Sequence, residues 1–171
     1  MEECSISDEY RIVITFPNGG SVKVHRYVSE TDSDYQKLLA IARHFAGQGK
    51  TVILPPKKQR GSKFDYNSFY KDLLNTEYYG KCPDLAIRRG NKYIFYEFES
   101  YTTNNKKRAL KNMLHRGFEQ SDKLIIDNIE ISDAKIKRSI YDRVENGANI
   151  NELWMLTDNN SCRLIYKKSK D

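Results

Sequence analysis

Stretches of strand-like alternation and of helical periodicity follow one another along the chain. Tyr10-Arg11-Ile12-Val13-Ile14-Thr15-Phe16 is a β-branched run, Pro17-Asn18-Gly19-Gly20 has turn chemistry, and Ser21-Val22-Lys23-Val24-His25 alternates; together they predict a β-hairpin within residues 10–28. Tyr35, Leu38, Leu39, Ala42, Phe45 and Ala46 then recur at helical spacing. They predict a helix over 34–46, capped by Thr31, Asp32 or Ser33 and stopped by Gly47 and Gly49. Thr51-Val52-Ile53-Leu54 reads as a short strand that Pro55-Pro56 ends. Residues 57–81 hold no tight pattern and read as an inserted loop with one helical turn near 66–74.

The clearest block follows. Asp84-Leu85-Ala86-Ile87-Arg88 and Lys92-Tyr93-Ile94-Phe95-Tyr96-Glu97-Phe98-Glu99 are two strands around Arg89-Gly90-Asn91, and Gly90-Asn91 suits a two-residue hairpin turn. A helix over 105–119 has the apolar stripe Leu110, Met113, Leu114, Gly117 and Phe118. Leu124-Ile125-Ile126 is an apolar strand of the kind covered on both faces. Ile136, Ile140 and Val144 mark another helix, opened at Ile131-Ser132 and ended by Gly147. Leu153–Thr157 and Cys162–Tyr166 form a last strand pair, and Lys167–Asp171 reads as a frayed tail. The order predicts an α/β (α+β) fold: a mixed central β-sheet flanked by helices, in one domain over 1–171. Residues 1–30 form an N-terminal hairpin annex to a core over 34–167, with the basic and aromatic insertion at 57–81.

Composition narrows the function classes. The chain has 171 residues, a net charge of +6 and twelve tyrosines, with a pI near 9.1. No apolar run approaches membrane-spanning length, so a membrane partner is not expected. Met1-Glu2-Glu3-Cys4-Ser5 lacks the basic-then-apolar layout of a secretory signal, and a cytoplasmic location is the expectation. Cys4, Cys82 and Cys162 are widely spread and never in a C-x-x-C arrangement, which argues against a disulfide framework and a structural zinc site. Basic charge with many tyrosines suits a surface that meets phosphate and stacked bases, with nucleic acid as partner. Lys57, Lys58, Arg60 and Lys63 fall in seven residues without an acid, ahead of the aromatics Phe64, Tyr66, Phe69, Tyr70, Tyr78 and Tyr79. The segment is a candidate for gripping the backbone and stacking on unpaired bases.

The informative geometry lies in the central hairpin. Alternate strand residues share a face, so Tyr93, Phe95, Glu97 and Glu99 point one way and Ile94, Tyr96 and Phe98 the other. Any even-numbered loop leaves Asp84, Glu97 and Glu99 on one face; with Gly90-Asn91 as the loop, Asp84 lies opposite Glu97. Directly opposed carboxylates sit about 5 Å apart and repel. Either the patch is a solvated acidic face, or a cation neutralises it. Candidates are Mg²⁺ or Mn²⁺, which favour carboxylate and phosphate oxygens, or a lysine from elsewhere in the chain. On the following helix Lys107, Lys111 and His115 share a face at i, i+4 and i+8. That face is either an ordinary charged exterior or a phosphate-gripping edge.

Pro83-Asp84 followed after twelve residues by Glu97-Phe98-Glu99 resembles the signature of the PD-(D/E)XK nucleases. The resemblance implies a restriction-endonuclease-like αβββαβ core, with Asp84 and Glu97 as ligands of Mg²⁺ or Mn²⁺. It puts Glu99 where most members carry a lysine, as a further ligand or the group that takes a proton from the attacking water, with Lys107 or Lys111 as a replacement cation. Gly80-Lys81-Cys82-Pro83-Asp84, Tyr96-Glu97-Phe98-Glu99-Ser100 and Arg116-Gly117-Phe118-Glu119-Gln120-Ser121-Asp122-Lys123-Leu124-Ile125-Ile126-Asp127 are similar to the C-terminal nuclease domains of contact-dependent growth-inhibition toxins and to related domains of prophage and conjugative-element proteins. This similarity covers residues 35–167 and implies an inhibitor or immunity protein as a further partner.

Three functions are therefore expected alternatives. The first is a metal-dependent nuclease acting through Asp84, Glu97 and Glu99. The second is a metal-independent tRNase-like toxin domain, with His115 and either Lys107 or Thr103 as acid, base and phosphate clamp. The third is an inactive nuclease-fold module that binds nucleic acid or protein.

Overall fold

A computed structural model describes residues 9–57, 65–101 and 103–170. Cys4, Lys58, Arg60, Lys63, Phe64 and Thr102 lie outside the described residues. Among the described residues the chain is a mixed α/β protein that divides into two compact units, residues 1–95 and 96–171.

In the first unit β1 (Tyr10–Thr15) and β2 (Ser21–His25) form the expected antiparallel hairpin, with a register shift between Ile12 and Ile14. β2 pairs in parallel with β3 (Thr51–Leu54), and β3 runs antiparallel to β4 (Leu85–Arg89). Between β2 and β3 lies α1 (Tyr35–Ala46), which buries Tyr35, Leu38, Ile41, Ala42, Phe45 and Ala46. Its stripe includes Ile41 where the sequence pattern pointed to Leu39, which is half-buried. Asp34 occupies the N-cap position, C-terminal to the three expected caps, and its side chain makes no capping bond.

The 57–81 stretch departs most from expectation. It contains α2 (Tyr66–Phe69) and a 3₁₀ turn at Lys71–Leu73, and three of its tyrosines are core. Tyr66, Tyr70, Leu73 and Tyr78 are buried with Ile53, Ala86 and Phe95. Tyr66 stacks on Tyr70 at 4.8 Å. The hydroxyl of Tyr66 donates to the Lys81 carbonyl and that of Tyr70 to the Pro56 carbonyl, both at 2.7 Å. These three tyrosines are therefore not stacking platforms for bases. The polar tips of Tyr66 and Tyr70 find backbone partners, which is what lets a tyrosine stay buried. Only Tyr79 of the tyrosines in the described part of this segment is exposed.

β5 (Lys92–Glu99) follows β4 after two residues, Gly90 and Asn91; Gly90 has φ +61°. That left-handed conformation is the one glycine adopts without a Cβ penalty. The division between the units falls inside β5. In the second unit β5 pairs in parallel with β6 (Lys123–Ile126), β6 in parallel with β7 (Glu152–Leu156), and β7 antiparallel to β8 (Cys162–Lys167). Lys167 thus belongs to the last strand, not to a tail. α3 (Lys106–Phe118) and α4 (Asp133–Glu145) bury Leu110, Met113, Leu114, Ile136 and Ile140 with Leu124, Ile126, Leu153 and Met155. Asn105 caps α3, its side-chain oxygen accepting from the Arg108 N–H at 3.0 Å. Asn105 stands immediately before the helix, where the first free N–H groups lie.

α3 approaches β6 closely at Gly117. A Cβ there would stand 2.2 Å from Cδ1 of the fully buried Leu124. Overpacking typically costs about 1–3 kcal/mol, against about 1 kcal/mol gained by removing a helical glycine. Gly117→Ala is expected to lower the urea midpoint modestly, and Gly117→Val to lower it further.

His25 is a core residue. It is 1% exposed, its Nδ1 accepts from the Tyr27 N–H at 3.1 Å, and Tyr10 packs edge-on at 4.9 Å. Burial lowers its pKa. The folded protein therefore takes up the proton at lower pH than the unfolded chain, whose histidines titrate near 6.5. The stability linked to His25 is complete above about pH 6.5 and is lost as pH falls below it. His25→Asn is expected to flatten the decline in melting temperature between pH 7 and 5.

Candidate functional site

In the first unit the residues converge on Asp84. The β3–β4 register pairs Ile53 with Ala86, and continued by two residues it brings Pro55 across from Asp84. The double proline stops the ladder, and Lys57, the next residue, pairs its Nζ with Asp84 Oδ1. The Asp84 side chain is 7% exposed and that of Lys57 46%. The Tyr70 hydroxyl on the Pro56 carbonyl fixes the segment that carries Lys57. Beside the pair is a cavity of about 30 Å³, lined also by Tyr27, Asp32 and Tyr35. That volume exceeds what one water molecule requires.

In the second unit β5 carries Glu97 and Glu99 opposite Leu124 and Ile126 of β6. Both acids are half-buried. The cation at Glu99 is Arg116, from the last turn of α3: its guanidinium lies 2.7 Å from Glu99 Oε2 and donates to the Ser100 carbonyl at 3.3 Å. A planar guanidinium can satisfy a carboxylate and a carbonyl together, which an ammonium does less well. Nothing in helical spacing alone aimed Arg116 at Glu99. The residues considered for that part, Lys107 and Lys111, line a groove between α3 and α4. His115 is exposed, 3.6 Å from Glu119 one turn along.

Two buried carboxylates, Asp127 and Glu152, escaped sequence reasoning. Glu152 accepts from the Tyr96 hydroxyl at 2.8 Å and from Trp154 Nε1 at 2.9 Å. The signal was Trp154 two residues further along the same strand, on the same face. This network satisfies an acid in the second unit's interior and gives the tryptophan a structural role.

The donor chemistry constrains any metal. Glu99 Oε2 is held by Arg116 and Asp84 Oδ1 by Lys57. Among the described residues there is no group of three or more His, Cys, Asp or Glu side chains that could hold an ion. Magnesium often takes only one or two carboxylates, with waters and substrate phosphates completing the shell; Asp84 fits that smaller requirement.

Comparison with protein-family models, with curated proteins and with solved structures finds no match to this chain.

Proposed function

We propose that this chain is a phosphodiesterase acting on nucleic acid, built on a restriction-endonuclease-like core. The element order α1, β3, β4, β5, α3, β6, with β3 and β4 antiparallel and β5 and β6 parallel, supports the core. The observation that carries the activity is the Asp84–Lys57 pair beside a water-sized cavity. Holding a carboxylate out of water costs several kcal/mol, and an apolar pair of similar volume is often no less stable. A buried acid and an ammonium in one recess are instead the two groups that phosphodiester hydrolysis uses. The carboxylate takes a proton from a water. The ammonium stabilises charge developing on the phosphoryl oxygens. A divalent ion held through Asp84 would, when bound, polarise the phosphate and lower the pKa of a water.

The test is cleavage of single- and double-stranded DNA and RNA by the full chain, with Mn²⁺ and with EDTA. Asp84→Asn, Lys57→Met and His115→Ala are compared with the parent. Loss in the first two variants supports the reading. Loss in His115→Ala alone transfers the chemistry to α3 and the tRNase-like alternative. One observation favours a second reading, that of a binding module: Glu99 is already neutralised by Arg116. Binding without cleavage by the parent under every ion selects it.

A further inference from the structure

The second unit has a groove of about 720 Å³ between α3 and α4. Its rim carries Lys107, Arg108 and Lys111 from α3 and Arg143 from α4, against the single acid Asp142. Its floor is apolar, formed by Leu110 and Leu114. The three α3 cations are exposed, whereas Arg143 is half-buried and its guanidinium donates to the Lys111 carbonyl at 3.3 Å. That bond ties α4 to α3 and holds the guanidinium against the groove wall.

We propose that this groove binds an unpaired nucleotide of a nucleic-acid strand, the phosphates on the α3 cations and the base against the floor and Arg143. The proposal rests on the reading of nucleic acid as substrate and adds a second contact region to it. Charge decides the class of occupant: four cations and one acid select an anion. Lys107 and Lys111 lie one helical turn apart, about 6 Å along the axis, comparable to the separation of successive phosphates in a strand. The floor decides between single and double strands. A duplex presents only phosphates and sugars to such a rim and gains nothing from buried leucines. An unstacked base gains from apolar contact and from a guanidinium plane.

The test is binding of fluorescein-labelled oligothymidylate to the full chain in EDTA, over a range of salt. Lys107→Ala combined with Lys111→Ala is expected to weaken binding about tenfold or more at low salt. It should also reduce the slope of log affinity against log salt by about 1.4, two single-strand contacts. Arg143→Lys keeps the charge, and should keep the slope while losing about fivefold in affinity. Both amines are on exposed side chains, so their removal leaves the core intact. Unchanged affinity and slope in the double variant overturn the proposal. So does equal binding of a duplex of the same length, or displacement of the oligonucleotide by polyglutamate at matched charge, which would assign the groove to an acidic protein. Because binding is read without turnover, a chain that binds here but never cleaves defeats only the phosphodiesterase reading. A chain that cleaves while the groove variants bind normally defeats only the groove.

Discussion

Asp84→Asn is expected to lower cleavage by about 10²–10⁴-fold, the range that a positioned acid or base contributes, while leaving the protein folded. The two halves of this result come from one geometry. The carboxylate is 7% exposed and held by Lys57, so an amide of the same shape removes the proton acceptor but adds no cavity. It also removes a desolvated charge, which offsets the lost ion pair. Lys57→Met should separate from it in sign. That change leaves a buried carboxylate without its ammonium, at a cost towards the low end of about 3–5 kcal/mol. The discount follows because the lysine side chain is 46% exposed, and water partly replaces it. Combining Lys57→Met with Asp84→Asn should recover most of that stability without recovering cleavage. Urea unfolding beside a cleavage assay reads both quantities.

Tyr70→Ala carries the largest expected loss of stability, about 3–5 kcal/mol. Tyr70 is fully buried, stacked on Tyr66 and packed against Phe69 and Phe95. Tyr70→Phe isolates the polar part. It leaves the Pro56 carbonyl without the hydroxyl that now donates to it at 2.7 Å, for about 1–3 kcal/mol. Because Pro56 precedes Lys57, Tyr70→Phe should also lower cleavage by more than its effect on the folded fraction explains. Equal losses in both would show that the tyrosine supports the fold alone.

The strands and helices were legible because their apolar positions repeat at 2 or near 3.6 residues, and those periods depend on backbone geometry alone. The hairpin at 10–28, the strands at 84–99 and the stripe of α3 all follow from that. The cap of α1 was misplaced by a residue or more, since several neighbouring polar residues can cap and tertiary position chooses among them. The 57–81 segment was misread for a different reason. Its tyrosines lie at no fixed period, and a tyrosine has the same composition whether its hydroxyl meets water or a distant carbonyl such as that of Lys81 or Pro56. Of the candidate site, Asp84 and Glu99 were found as acids that require a cation, and the general alternative of a lysine from elsewhere fits Lys57. The particular partners, Lys57 for one and Arg116 for the other, depend on long-range contacts across 27 and 17 positions of sequence, which no local pattern encodes.

The slip between Ile12 and Ile14 has a consequence for how this protein behaves when concentrated. Among the described residues β1 is the terminal strand of the order, and its Ile12 is 60% exposed. A straight outer strand of this composition would offer a template on which further chains could stack into cross-β fibrils. The extra residue throws the outer amides and carbonyls out of phase, and the ionic pair of Arg11 with Glu30 places charge alongside. An incoming strand would find neither a continuous ladder nor a neutral flank, so templated growth from this border is disfavoured even though the segment is rich in isoleucine and valine.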